Sequence, residues 1–540
     1  MRILLVPLDD RPVTYTYPQL LLKSARVEPI LPPRNLMGSL NRGAQIDELL
    51  SFCENAIAKF SPDAMVLCLD SLLYGGLITS RRSTEDLKTI GDRLERIKKW
   101  RSLHPMKVYG QSSIMRISDN YDNTEEKDYW KTYGRELFEW SACLHRLARR
   151  EKMTPGLLEA LERKIPESIR KDYFDTRLRN FTVNQMLLRS MVSQGANKAF
   201  LDYLVFSQDD SGTWGLNVGE KERLEAEAKS LKLEDKVVAY AGADEVACTL
   251  IARALIDSVV KSKGEAARPS ISVRFSPDKA ATVASRYEGQ EIGATVEAHL
   301  QASGLNVNRN GAGNHSGNSF TLLVHGPAER QGDHITLPGL PDLSQIDTKQ
   351  TVQSTLAELA ASEHCIIADV VYANGGDPIL VEELLKKPEL LSKLKSYAGW
   401  NTTGNTMGSA LALALAGWFA ELKESESTLA SASAKETGEI KEGALSRGGE
   451  NYRAAGQVAQ KTARLSEPQK QCLFTRLLDD WAYQAKVRKT LSGEPSTKLL
   501  AEQISPYIKE ISSAICIEPA VRLSFPWRRT FEIEIGFEGG

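Results

Sequence analysis

Residues 198–217 read KAFLDYLVFSQDDSGTWGLN. Phe200 to Phe206 is an apolar run rich in strand formers, and it runs into Gln208, Asp209, Asp210, Ser211 and Gly212. This is the pattern of a buried strand that delivers two adjacent carboxylates into a turn at its C-terminal end. In α/β proteins that end of a strand is where ligands sit and catalytic groups emerge. Two carboxylates so close can divide their labour, one ionised and the other pushed toward the acid form by its neighbour's charge. A turn in which Asp caps its own backbone explains one such stretch equally well. The pattern, however, recurs.

RILLVPL at 2–8 ends in Asp9, Asp10 and Arg11. DAMVLCL at 63–69 ends in Asp70 and Ser71, with Tyr74 just beyond. KVYGQSSI at 107–114 ends near Arg116, Asp119 and Asn120. Val237 to Tyr240 leads to Asp244 and Glu245, CIIADVVYA at 365–373 to Asn374 and Asp377, and Lys395 to Gly399 to Trp400, Asn401 and Asn405. Further strands are expected at 26–31, 271–275 and 320–325.

Strands alternating with helices, each apolar on both faces, indicate an α/β fold with a parallel sheet. The count suits a closed (β/α)8 barrel of the TIM type, and an open doubly wound sheet is the alternative. Residues 1–417 form the expected catalytic domain, interrupted by a helical insertion at 121–197 and a loop-rich elaboration at 277–318. The stretch 424–466 is rich in Ser, Ala, Glu, Lys and Gly, which predicts a mobile insertion. Residues 467–540 read as a C-terminal α+β extension.

The 68 basic and 70 acidic residues nearly cancel, so charge offers no reason to expect nucleic acid or an anionic membrane as partner. No apolar run reaches the roughly 18–20 residues of a membrane span. The seven cysteines are scattered without CxxC spacing, as expected of free thiols in the cytoplasm. The seven histidines show no metal-binding spacing, although Asp and Asn oxygens could hold a hard cation.

Six strand ends aiming carboxylates, amides and a guanidinium at one rim would suit a small carbohydrate, which needs many hydrogen bonds and an aromatic platform. Tyr74, Trp214, Tyr240 and Trp400 are the candidate platforms. Each strand end taken singly has a structural explanation, such as an ion pair for Asp9-Asp10-Arg11 or a helix start for Asp244-Glu245. Their convergence on one face is what a functional rim requires.

LVPLDDRPVTYTYP, LDSLLYGGLITSR, SQDDSGTWGLN, AGADEVACTLIARAL and YAGWNTTGNTMGSALA together resemble the bacterial family called domain of unknown function 4127. The resemblance covers nearly the whole chain and carries no settled activity. A strand ending in Asp-Asp, followed late in the chain by Trp-Asn, is also similar to the family 84 glycoside hydrolases, the N-acetylglucosaminidases. That similarity implies substrate-assisted, retaining catalysis. Asp209 would orient an acetamido group that acts as the internal nucleophile, Asp210 would be the general acid/base, and Asn401 would bind the sugar. The surrounding sequence departs from that family, and the 121–197 insertion has no counterpart in it.

The expectation is therefore a cytoplasmic glycoside hydrolase without a cofactor. One alternative is a hydrolase or lyase assisted by Mg²⁺ or Mn²⁺ on Asp9, Asp10, Asp70 and Asp209. Another is a non-catalytic sugar- or metabolite-binding protein. Sugar, linkage and oligomeric state are open.

Overall fold

The computed structural model of the protein describes residues 1–193, 199–209, 211–308, 318–335, 342–436, 465–491 and 494–538. Six parallel strands make the first sheet: β1 (Arg2–Val6), β2 (Glu28–Ile30), β3 (Ala64–Cys68), β4 (Lys107–Ile114), β5 (Tyr203–Gln208) and β6 (Val237–Ala241), in the order β2-β1-β3-β4-β5-β6. Their unbroken apolar sequence follows from two-sided burial. Ile3, Leu5, Ala64, Val66, Tyr203 and Val205 enter one core. The residues between them, Leu4, Val6, Met65, Leu67, Leu204 and Phe206, enter a second core on the opposite face.

The second half of the chain builds a second sheet from β7 (Ser270–Ser276), β8 (Asn306–Val307), β9 (Ser319–His325), β11 (Cys365–Asp369) and β13 (Leu394–Ala398). They pair in parallel in the order β13-β11-β9-β7-β8. Between them the short strands β10 (Gly332–Asp333) and β12 (Tyr372–Ala373) pair with each other. Counted within its own half, each sheet places its second strand outside the first, and its third, fourth and fifth on the other side. This is a doubly wound order, with a topological switch beside the first strand of each half.

The strands thus pair as two open parallel sheets, not as the closed (β/α)8 barrel that their number suggests. β2 and β6 are the edges of the first sheet, and β8 and β13 those of the second. The helices Val246–Lys263 and Thr403–Glu436 supply Leu250, Ile251, Met407, Leu411 and Leu415 to a core that also takes side chains from both sheets, so the halves share one interior.

Between β4 and β5 the chain runs through the helices Trp130–Ala148, Leu157–Lys164 and Glu167–Ser190. The helix Thr403–Glu436 continues into the stretch expected to be mobile, of which 437–464 lie outside the described residues. After the helix Thr497–Ile515, β14 (Val521–Ser524) and β15 (Glu534–Phe537) form an antiparallel hairpin. Among the described residues no helix is long and apolar enough to cross a membrane.

Candidate functional site

The residues that follow the strands of both sheets, together with the hairpin connection 525–533, enclose a cavity of about 350 Å³. Asp9, Arg11, Arg116, Asp209 and Asp244 come from the first sheet, Tyr287, Asn374 and Asn401 from the second, and Trp527, Arg529 and Phe531 from the hairpin.

The turn after β1 is built on Asp9. One of its oxygens accepts from the backbone N–H of Arg11 at 3.0 Å and from the Thr14 hydroxyl at 2.5 Å. The other accepts Arg11 Nε at 3.0 Å and Nη2 at 2.8 Å. Arg11 Nη2 also donates to Asp244 Oδ1 at 2.5 Å, which joins the end of β1 to the end of β6. All three residues are buried. Burial pushes the Asp244 carboxyl up to about 6, with Arg11 opposing and the charges of Asp209 and Asp9 assisting.

Asp209, half-buried at the end of β5, accepts Arg81 Nη2 at 2.8 Å and Arg116 Nη1 at 3.0 Å. Burial alone would raise its pKa, but Arg116 and Arg81 outweigh it and hold the carboxylate below its ordinary range. Arg116 also donates to Glu126 at 2.7 Å and pairs with Glu125 at 3.1 Å, and Arg529 donates to Glu125 at 2.7 Å. This network ties β4, β5, the start of the helical insertion and the C-terminal hairpin to one wall. Ser118 Oγ, on the same wall, is buried and has no hydrogen-bond partner among the described residues.

On the facing wall Asn374 Nδ2 donates to Asp333 Oδ1 at 2.9 Å, and the Tyr287 hydroxyl donates to Asp333 Oδ2 at 2.6 Å. The Asn374 N–H donates to the Asn401 carbonyl at 2.7 Å. Both asparagines have φ of +59°, a conformation that Asn tolerates better than most residues.

Over residues 3–536 the chain matches the family model described as a protein of unknown function, DUF4127. The protein belongs to the DUF4127 family. No curated protein matches it.

In this DUF4127 member, eight of the residues named at the strand ends in the sequence line the cavity: Asp9, Arg11, Arg116, Asn120, Asp209, Asp244, Asn374 and Asn401. Asp210 lies outside the described residues. Asp10 is not among the lining residues and accepts the Trp527 indole N–H at 2.7 Å. Asp70 turns inward at the start of its helix and accepts the backbone N–H and hydroxyl of Ser113 at 3.0 and 3.1 Å. Burial pushes it up to about 6 against those bonds. Glu245 pairs with His299 at 3.1 Å, and both are fully buried. Asp377 pairs with His325 at 3.0 Å and caps the helix that follows it. Asn405 is buried in the first turns of its helix.

The four aromatics expected as platforms sit elsewhere. Tyr74 is buried with Arg179 5.5 Å from its ring, Trp214 packs on His145 at 5.2 Å, and Tyr240 on His299 at 4.0 Å. Trp400 is buried edge-on to Phe531, 6.1 Å between centroids, and so backs a cavity residue. Trp527 and Phe531 line the cavity instead. Their signal was the run FPWRRTF at 525–531, where aromatic and basic residues crowd an otherwise ordinary hairpin.

Asp9, Asp10, Asp70 and Asp209, the four acids of the metal-assisted alternative, are each bound to a different set of donors. Among the described residues no group of three His, Cys, Asp or Glu side chains is placed to hold a metal ion.

Proposed function

We propose that the cavity binds a small carbohydrate and that the protein is a glycoside hydrolase. The observation that carries this reading is the pair Asp209 and Asp244. They follow neighbouring strands, line one cavity, and are pushed in opposite directions by their surroundings. A carboxylate held ionised beside a carboxyl whose proton affinity is raised toward neutrality is the division that glycoside hydrolysis uses.

In this reading Trp527 and Phe531 offer aromatic faces to a sugar ring, and the amides of Asn374 and Asn401 bond its hydroxyls. Asp244 gives its proton to the oxygen of the departing group. Arg11 stays paired with Asp9 while Asp244 changes charge. Asp209 supplies the negative charge that an oxocarbenium-like transition state needs, or holds the N–H of an acetamido group that attacks from within the substrate. The family 84 similarity gives the acid role to Asp210. The tuning of Asp244 makes it the stronger candidate among the described residues. Proton donation of this kind contributes about 10²–10⁴ in rate. Seven free cysteines, six of them buried, fit a reducing, cytoplasmic setting.

The test is a panel of chromogenic N-acetylhexosaminides and unsubstituted glycosides with good and poor leaving groups. Asp244→Asn is expected to abolish turnover of the poor leaving groups and to spare activated aryl glycosides. Asp209→Asn is expected to slow both. Equal losses across leaving groups would remove the assignment, and saturable sugar binding without turnover of any glycoside would leave a binding protein.

A further inference from the structure

A second cavity, of about 530 Å³, lies where the helical insertion meets the helix Leu216–Ser230, and it shares no residue with the first. Its volume falls within the roughly 300–1,000 Å³ of small-molecule sites. Leu144, Ala148, Phe174, Leu178, Phe181 and Leu216 make its walls predominantly apolar. Phe174 and Leu178 remain 45% and 51% exposed, although both belong to a well-formed helix.

The charges at its rim are unequally committed. Glu220 accepts Arg177 through two bonds, at 3.0 and 2.6 Å. Glu222 pairs with Arg149 at 2.5 Å and with His145 at 3.3 Å. Arg223 is left over. Its guanidinium lies over the Phe181 ring at 4.1 Å and its charge is felt by Glu220, but it makes no hydrogen bond or salt bridge among the described residues. A guanidinium with donors to spare, laid on an aromatic wall at the mouth of an apolar cavity, complements a molecule with an apolar body and one anionic end. Two of the lining residues, Leu216 and His145, tie the helix Leu216–Ser230 to the helical insertion: the Leu216 N–H donates to Ser141 Oγ at 2.7 Å, and the Gly215 N–H donates to His145 Nδ1 at 3.3 Å.

We propose that this cavity is a binding site for a small amphiphilic carboxylate, an alkyl or aryl acid whose body lies between the helices and whose carboxylate takes Arg223. Calorimetric titration of the full chain with octanoate and with octanol, its uncharged counterpart, tests this. Octanoate should bind once per chain, and octanol about tenfold more weakly, the worth of one charge-assisted hydrogen bond. Arg223→Leu and the milder Arg223→Gln should bring octanoate down to the level of octanol, Arg223→Lys should restore part of the difference, and Leu178→Asp should weaken both ligands. Equal binding of octanoate and octanol, no binding of either, or octanoate binding unchanged in folded Arg223→Gln would overturn the proposal. So would a wild-type dimer that Leu178→Asp separates in sedimentation, because a second copy would then be what covers these helices.

Discussion

Trp527, near the end of the chain, closes on Arg11, near its start: the guanidinium carbon stands 5.1 Å from the indole ring centre, and the indole N–H bonds Asp10 at 2.7 Å. Arg11 is therefore held at its edges by Asp9 and Asp244 and on its face by an aromatic ring. Trp527 has a φ of +54°, which an L side chain adopts only when its surroundings demand it. The hydrogen bond and the cation–π contact are that demand. Trp527→Ala should cost about 2–4 kcal/mol of stability, from a charge-assisted hydrogen bond and a partly desolvated cation–π pair. Trp527→Phe keeps the ring and should lose roughly half as much. Urea denaturation of the two variants checks this, and equal losses would mean that the ring face contributes nothing.

Arg11 is the only guanidinium bonded to Asp9 and Asp244 among the described residues. Arg11→Met leaves two buried carboxylates without their cation and should cost about 3–5 kcal/mol at neutral pH. The deficit should depend on pH. Asp244 is pushed up to about 6 even with Arg11 beside it, and without that opposing charge its folded-state pKa rises further, so stability falls as pH climbs from the unfolded value of about 3.9 through the raised value. The deficit should be smaller at pH 5 than at pH 8. Denaturation midpoints that differ from wild type by the same amount at both pH values would contradict this account of Asp244.

Strand positions were legible because a two-sided buried strand writes a continuous apolar run, as AMVLC at 64–68 and YLVFSQ at 203–208 do. β8, with both of its residues exposed, and β10, a Gly-Asp pair, left no such run. Whether the runs close into a barrel or lie in two sheets depends on pairing between distant strands, which local composition does not encode. The same limit separates the cavity residues from their neighbours. Asp9 and Asp10 look alike in sequence, yet one binds Arg11 and the other Trp527, because adjacent side chains leave the backbone in different directions. The run FPWRRTF marks the hairpin connection as unusual, but that it closes on the turn after β1 and brings Arg529 and Phe531 to the site is a tertiary event the run does not encode.

Glu532 gives the sharpest prediction about pH. It is 1% exposed, and one of its carboxyl oxygens has no hydrogen-bond partner among the described residues. Burial pushes its pKa up to about 8, with Arg11 opposing and Asp244 and Asp9 assisting. In the unfolded chain a glutamate loses its proton near pH 4.3. Between those two values the folded chain keeps a proton that the unfolded chain has released, so this residue lowers stability progressively as pH rises from about 4.3 toward about 8. Glu532→Gln has the same shape and no proton to lose. Its thermal midpoint should lie near that of wild type at pH 5, move increasingly above it up to pH 8, and then hold a constant lead. The gain at the plateau is expected to be a few kcal/mol, on the order of 1.4 kcal/mol for each unit of raised pKa that survives solvent relaxation. A difference that stays flat from pH 5 to pH 8 would mean that Glu532 is already ionised inside the fold. The hairpin loop would then be held by a buried anion beside Arg11 instead of by a neutral acid.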